Sequence, residues 1–222
     1  MMDVAPHMLS VIPFGIICGA IGIELGFEIA THAIGDAANN TILNVYEKVR
    51  RKYGYEPILR IEHAQTLLPD DIERIAKLDI KIAMQAIHCT SDAEMALKRL
   101  GYERCRQRAY LWKSLLKQDI KIMGGSDSPI EPYNPFTGIQ AFVERKSLKS
   151  GEEFFPEEKI TLAEAIHAYS DSVRENFGNE YNIGLHEGQI ADLIIIDNNL
   201  EKNIASTIVL ATVANGELIY KK

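Results

Sequence analysis

The sequence predicts an α/β protein built on a parallel sheet, with a small antiparallel β appendage at its C-terminus. Two patterns predict it. From about residue 25 short apolar runs alternate with helical periodicities four times over, the signature of successive βα units whose parallel strands need crossover helices. The tail then changes character: residues 192–197 read as a strand, and residues 209–220 alternate around Asn215 and Gly216, the strongest short-range hairpin signal.

The elements follow in order. A first strand is predicted over 27–31. Its helix carries Ile42, Tyr46, Val49 and Tyr53 at i, i+4, i+7, i+11 spacing and stops at Gly54, because an apolar stripe at that period faces a core and glycine ends a helix at no steric cost. A second strand over 58–61 leads to a helix opened by Pro69, with Asp70, Asp71 and Glu73 complementing its positive N-terminal dipole. A third strand over 80–86 precedes helices at 92–100 and 103–117, parted by Gly101. The fourth, 120–123, is followed by a Pro-punctuated loop and a helix near 136–146. A last helix starts at Thr161 and Glu164, in capping-box spacing, and buries Leu162, Ala165, Ile166 and Tyr169.

A length of 222 residues gives one principal unit as the default, and 46% hydrophobic with 25% charged residues exclude disordered and fibrous classes. A net charge of −7 argues against nucleic acid as a partner, since phosphate binding needs a basic stripe. The one short basic run, Arg50, Arg51 and Lys52, reads as a solvated helix end. Cys18, Cys89 and Cys105 are odd in number and widely spaced, which suits a reducing cytoplasm rather than a disulfide framework or cysteine zinc site. The uncharged run 11–23 is too short to span a bilayer and is broken by Pro13, Gly15, Gly19 and Gly22. No secretory leader is expected either: Asp3 precedes that run, without Lys or Arg. The expected location is cytoplasmic, with no membrane partner.

The positions of the polar residues point to chemistry. His32, His63, His88 and Asp127 follow the four predicted strands in turn. In a parallel α/β barrel these C-terminal strand ends converge on one face, so residues distant in sequence enter one pocket. Neutral imidazoles with a carboxylate are what a borderline-soft divalent cation such as zinc takes. His167 sits in an amphipathic helix and His186 in a loop, so both read as structural.

The contexts of these residues carry a resemblance. His-Ala-Ile-Gly-Asp at 32–36, Arg-Ile-Glu-His-Ala-Gln at 60–65 and Gly-Ser-Asp-Ser-Pro at 125–129 together resemble the YtcJ-like branch of the metal-dependent amidohydrolase superfamily, which includes N-substituted formamide deformylases. Gln85 to His88 resembles the strand-seven Gln-Pro-x-His of that family, with Ala86 in place of Pro. Residues 188–196 resemble its Gly-Lys-x-Ala-Asp-Leu segment, with Gln189 in place of Lys. The resemblance runs from about Gly22 to the C-terminus.

That resemblance implies the C-terminal half of a TIM-like (β/α)8 barrel with a small antiparallel β appendage: 1–21 unassigned, 22–180 partial barrel, 181–222 part of a small β domain. It implies His32, His63 and Asp127 as metal residues, and Asp127 as the group that moves the proton. His88 is a candidate stabiliser of the developing oxyanion. The implied activity is hydrolysis of a non-peptide C–N bond, an amide or formamide, by metal-activated water on a small-molecule substrate. The alternatives are a non-catalytic remnant and, within the superfamily, a deaminase. The family's strand-one His-x-His pair occurs nowhere in the sequence. A partner is therefore expected, either a second copy in a homo-oligomer or a complementary N-terminal barrel half.

Overall fold

Four parallel strands lie side by side in the order in which the chain makes them: β1 (Ile29–Ala33), β2 (Leu59–His63), β3 (Lys81–Met84) and β4 (Ile122–Gly124). The computed structural model describes residues 19–176 and 185–222. The unassigned N-terminal segment up to residue 18, with Cys18, and the expected boundary near 180 lie outside them. The predicted parallel α/β sheet is present, each strand displaced by one or two residues from its expected place. Thr31, Ile61, Ile82 and Ile122 share one row of the register, and His32, Glu62, Ala83 and Met123 share the next. Successive side chains point to opposite faces, so the first row enters the helix-covered core while the second lies on the other face. Ile61, Ile82 and Ile122 accordingly pack with Leu43, Ile75, Trp112 and Phe142 in the main core, whereas the buried Met123 stands outside that cluster.

Helix α1 (Asp36–Tyr53) buries Asn39, Leu43, Tyr46 and Arg50. Of the expected stripe of Ile42, Tyr46, Val49 and Tyr53, Tyr46 is buried and Ile42 and Val49 pack partly buried against the core, while the polar Asn39 and Arg50 share the inner face. The Tyr46 hydroxyl donates to the Arg60 carbonyl at 2.9 Å and meets Thr31 Oγ1 at 2.6 Å, fastening α1 to β1 and β2. Burial pushes that phenol up to about 12.

The basic run 50–52, expected as a solvated helix end, is divided. Arg51 and Lys52 are exposed, but Arg50 is 7% exposed. Its guanidinium donates to the carbonyls of Leu78 (2.7 Å), Pro57 (2.7 Å), Asp79 (3.0 Å) and Gly54 (3.3 Å). Helix ends and tight turns leave carbonyls without backbone partners, and a forked five-donor cation satisfies several at once. Sequence periodicity has no term for this.

Helix α2 (Pro69–Lys77) opens on its proline as expected. Helix α3 (Ala86–Leu100) begins six residues before its predicted start, directly after β3. The single helix expected over 103–117 is instead α4 (Tyr102–Arg108) and α5 (Trp112–Leu116). The break falls where Ala109 bridges to Thr66 and Tyr110 takes φ 53°. Helix α6 (Pro135–Glu144) follows β4, and α7 (Leu162–Tyr169) carries the predicted capping box of Thr161 and Glu164. A short α8 (Asp171–Asn176) follows.

The C-terminal residues form a separate three-stranded antiparallel sheet, β5 (Leu193–Ile196), β6 (Val209–Ala214) and β7 (Glu217–Lys221), in that order. Asn215 and Gly216 take φ 50° and 81°, the two positive values that a two-residue hairpin matched to strand twist requires. Among the described residues no helix is long and apolar enough to cross a membrane.

Candidate active site

His32 is the penultimate residue of β1, and His63 the last residue of β2. Their rings stand edge to face with centroids 4.5 Å apart. His88 lies in the first turn of α3 rather than in a loop, its ring 5.9 Å from that of His63 and nearly parallel to it. Asp127 follows β4 on an exposed loop with φ 56°. Three of the four predicted residues are thus neighbours at the C-terminal ends of adjacent strands. Asp127 lies on the same side, near enough to act on the charge of His88. Among the described residues no group of three or more His, Cys, Asp or Glu stands ready to hold a metal ion, so the chain brings His32 and His63 together without adding Asp127 as a third ligand.

The strand ends are held by a network that begins in α1. Asn39, fully buried, donates to the carbonyls of Gly35 (3.0 Å), Thr66 (3.0 Å) and Ile34 (3.2 Å), and so joins the turn after β1 to the segment after β2. Backbone bonds from Ala64 N to Ala33 O (3.0 Å) and from Thr66 N to Ile34 O (2.9 Å) continue the zipper beyond the strands. On the other side Leu67 N bonds Arg108 O at 2.9 Å and Tyr110 N bonds Gln65 O at 2.7 Å. Asp36, buried at the start of α1, accepts from Arg104 Nη2 (2.8 Å) and Arg108 Nη1 (2.7 Å). Burial alone would raise the Asp36 carboxyl; the two guanidiniums and the Ala37 N–H outweigh it and hold the group below the ordinary carboxylate range.

Asp127 is positioned differently. The Tyr169 ring fills the space over two glycines: a Cβ on Gly124 would lie 2.6 Å from it, and one on Gly138 1.8 Å from its hydroxyl oxygen. That hydroxyl donates to Gly125 O at 3.1 Å, and Gly125 N bonds Met84 O at 3.0 Å. Gly124, in the run Gly124-Gly125-Ser126-Asp127, therefore serves close packing at the end of β4, just before the loop that carries the carboxylate.

Two glutamines complete the site. His63 Nδ1 lies 2.8 Å from Gln85 Oε1, and His88 Nδ1 lies 2.9 Å from Gln65 Nε2. His63, His88 and Gln85 are each 7% exposed, and His88 Nε2 is buried without a partner in the described structure. An unpaired buried polar atom costs free energy, and a reactive oxygen arriving beside it would recover that cost. Burial also pushes His88 below the ordinary histidine range, opposed by Glu131 and Asp127 and reinforced by His63, so the ring is neutral at pH 7. The half-enclosed imidazole pair of His32 and His63, with one ring nitrogen of His63 already engaged, is a donor set that suits a divalent cation as two of its ligands. Both glutamines stand within the sequence motifs without a role that sequence alone assigns; the places of Gln65, two residues after His63, and of Gln85, three before His88, were the available signal.

A family model described as "Amidohydrolase family" matches residues 21–220. The chain is 35% identical to the protein LONG AFTER FAR-RED 3 of Arabidopsis thaliana over 88% of its own length and 34% of that protein. It is 35% identical to the putative amidohydrolase YtcJ of Bacillus subtilis over 90% of its own length and 38% of that protein. An N-substituted formamide deformylase of Arthrobacter pascens is 25% identical over the same shares, 90% and 38%. Among solved structures, an uncharacterized metal-dependent hydrolase from Pyrococcus furiosus superposes with a TM-score of 0.66 at 29% identity, covering 88% of this chain and 36% of that one. The chain thus spans about a third of the length of the curated relatives it matches.

Proposed function

The chain belongs to the amidohydrolase family, and on that premise we propose that it supplies the C-terminal half of a barrel hydrolase acting on a non-peptide C–N bond of a small amide or formamide. The observation that carries the reading is the meeting of His32, His63 and His88 at neighbouring strand ends, with His88 Nε2 buried and unpartnered. The named relatives of the chain include a formamide deformylase. A divalent cation, zinc in the first instance, would be held by His32 and His63, with Asp127 and groups from a complementary portion completing its shell; it would supply the Lewis acidity that makes water a nucleophile at neutral pH.

The residues of the chain do the rest. Asp127, on its exposed loop, takes the proton that the attacking water loses and returns it to the departing nitrogen. His88 donates from Nε2 to the carbonyl oxygen as negative charge develops there. Cys89 and Cys105, both buried and unpaired, suit a reducing cytoplasm.

The test is a hydrolysis assay on a panel of N-substituted formamides and simple amides. Turnover is expected when the chain is combined with a complementary N-terminal barrel portion. It should disappear with a chelator, return with zinc, and fall by orders of magnitude in Asp127→Asn, which keeps shape but removes the basic site. Turnover that survives exhaustive chelation and is indifferent to Asp127→Asn would overturn the reading.

A further inference from the structure

The two glutamine contacts differ in kind, and the difference decides what each histidine can do. Gln85 presents a carbonyl oxygen to His63 Nδ1, and an oxygen without a proton only accepts. His63 Nδ1 must therefore carry the proton, which leaves the Nε2 lone pair of the neutral ring free. Gln65 presents an amide nitrogen to His88 Nδ1, and an amide nitrogen only donates. His88 Nδ1 must therefore be the lone pair, which places the ring proton on Nε2, the atom that is buried and unpartnered. Two imidazoles whose centroids are 5.9 Å apart thus offer opposite functions from the same ring position.

We infer that Gln85 and Gln65 are positioning residues that hold His63 and His88 in opposite neutral tautomers, so that His63 offers a lone pair to a cation and His88 offers an N–H to an oxyanion. The assignment of those two uses rests on the hydrolase reading above; the tautomers themselves do not.

Both glutamines are placed to hold these orientations. Gln85 is 7% exposed, stands at the N-cap of α3, and accepts His88 N at 3.2 Å on its own carbonyl, so one residue touches both rings' settings. Gln65 is tied by its carbonyl to Tyr110 N at 2.7 Å within the three-strand zipper of loops. An outer hydrogen bond that fixes a ligand ring's tautomer also raises its basicity toward a metal. The arrangement predicts an asymmetry that mere packing would not: a carboxylate, which only accepts, can replace the amide at position 85 but not at position 65.

Long-range 1H–15N correlation spectra of the metal-free 222-residue chain, with 15N-labelled histidine at about pH 8, above the ordinary histidine range, read the tautomers directly. His63 is expected to show a protonated Nδ1 and a bare Nε2, and His88 the reverse. Gln85→Glu should leave the His63 pattern unchanged, whereas Gln65→Glu should put a proton on His88 Nδ1. Gln85→Leu should lose the single His63 tautomer and weaken zinc binding, measured by calorimetry, by about 10- to 100-fold. His63 protonated at Nε2, His88 protonated at Nδ1 in the unsubstituted chain, or equal responses to the two glutamate substitutions would overturn the inference. Correct tautomers in a chain that binds no zinc even when combined with a complementary N-terminal barrel portion would uphold the inference and sink the hydrolase reading instead; zinc binding with the wrong tautomers would do the opposite.

Discussion

Asp36 and Arg108 are joined across 72 positions of chain by a hydrogen bond of 2.7 Å between Oδ2 and Nη1. The contact closes the turn after β1 onto the end of α4, directly over the segment that leads out of His63. The carboxylate is buried and held in its charged form by Arg108 and Arg104 against the burial that would neutralise it. Asp36→Asn should therefore destabilise the chain by about 1–3 kcal/mol at pH 7, read as a lower urea midpoint. Because the folded carboxyl is depressed, its contribution is present above the unfolded value of about 3.9 and is lost as pH falls through the folded one. The gap between chain and variant should shrink below about pH 4.

Arg50 binds carbonyls from the end of α1 and from two turns beyond it. Arg50→Met keeps the stem but strands those oxygens in a buried place, at a cost of about 2–4 kcal/mol. Arg50→Lys should recover less than half, since an ammonium cannot fork across three directions. Equal urea midpoints for Met and Lys would show that the stem, not the guanidinium, matters.

Tyr169 fits only because positions 124 and 138 lack a Cβ. Gly138→Ala gains helix propensity in α6 yet places a methyl 1.8 Å from the tyrosine oxygen, so it should destabilise by about 1–3 kcal/mol. In a Tyr169→Leu background the same substitution should cost much less, a non-additivity visible in a double-mutant cycle. Additive costs would mean that the ring yields freely.

How far this was legible follows from what each residue leaves in a sequence. The parallel order of strands and the hairpin at Asn215-Gly216 are written in apolar periods and turn chemistry, and both appear as expected. His32, His63 and His88 were legible through phase, since each closely follows an apolar run. Arg50, Asn39 and Asp36 were not, because a buried polar residue on an amphipathic helix looks like a solvated one until its partners, 27, 29 and 72 positions away for the farthest bonds of Asn39, Arg50 and Asp36, are known. The break between α4 and α5 was hidden for the same reason: Ala109 leaves helical geometry to bridge to Thr66, a partner that no local propensity reveals.

The C-terminal sheet sets the last expectation. Ile194 and Ile195 are consecutive on β5 and 51% and 52% exposed, and Leu218 and Ile219 on β7 are 59% and 64% exposed. Consecutive residues of a strand point to opposite faces, so both faces of this three-stranded sheet present branched apolar side chains to solvent. Burying such a side chain stabilises by about 1.5–3 kcal/mol, and surfaces of this kind mark sites of association. The isolated 222-residue chain should therefore run above its monomer mass of 24.9 kDa in light scattering. Ile195→Thr combined with Leu218→Thr, which keeps β propensity while removing apolar area, should shift it toward the monomer with unchanged far-ultraviolet circular dichroism. A compact monomer with cooperative unfolding in the unsubstituted chain would show that the exposed sheet needs no partner.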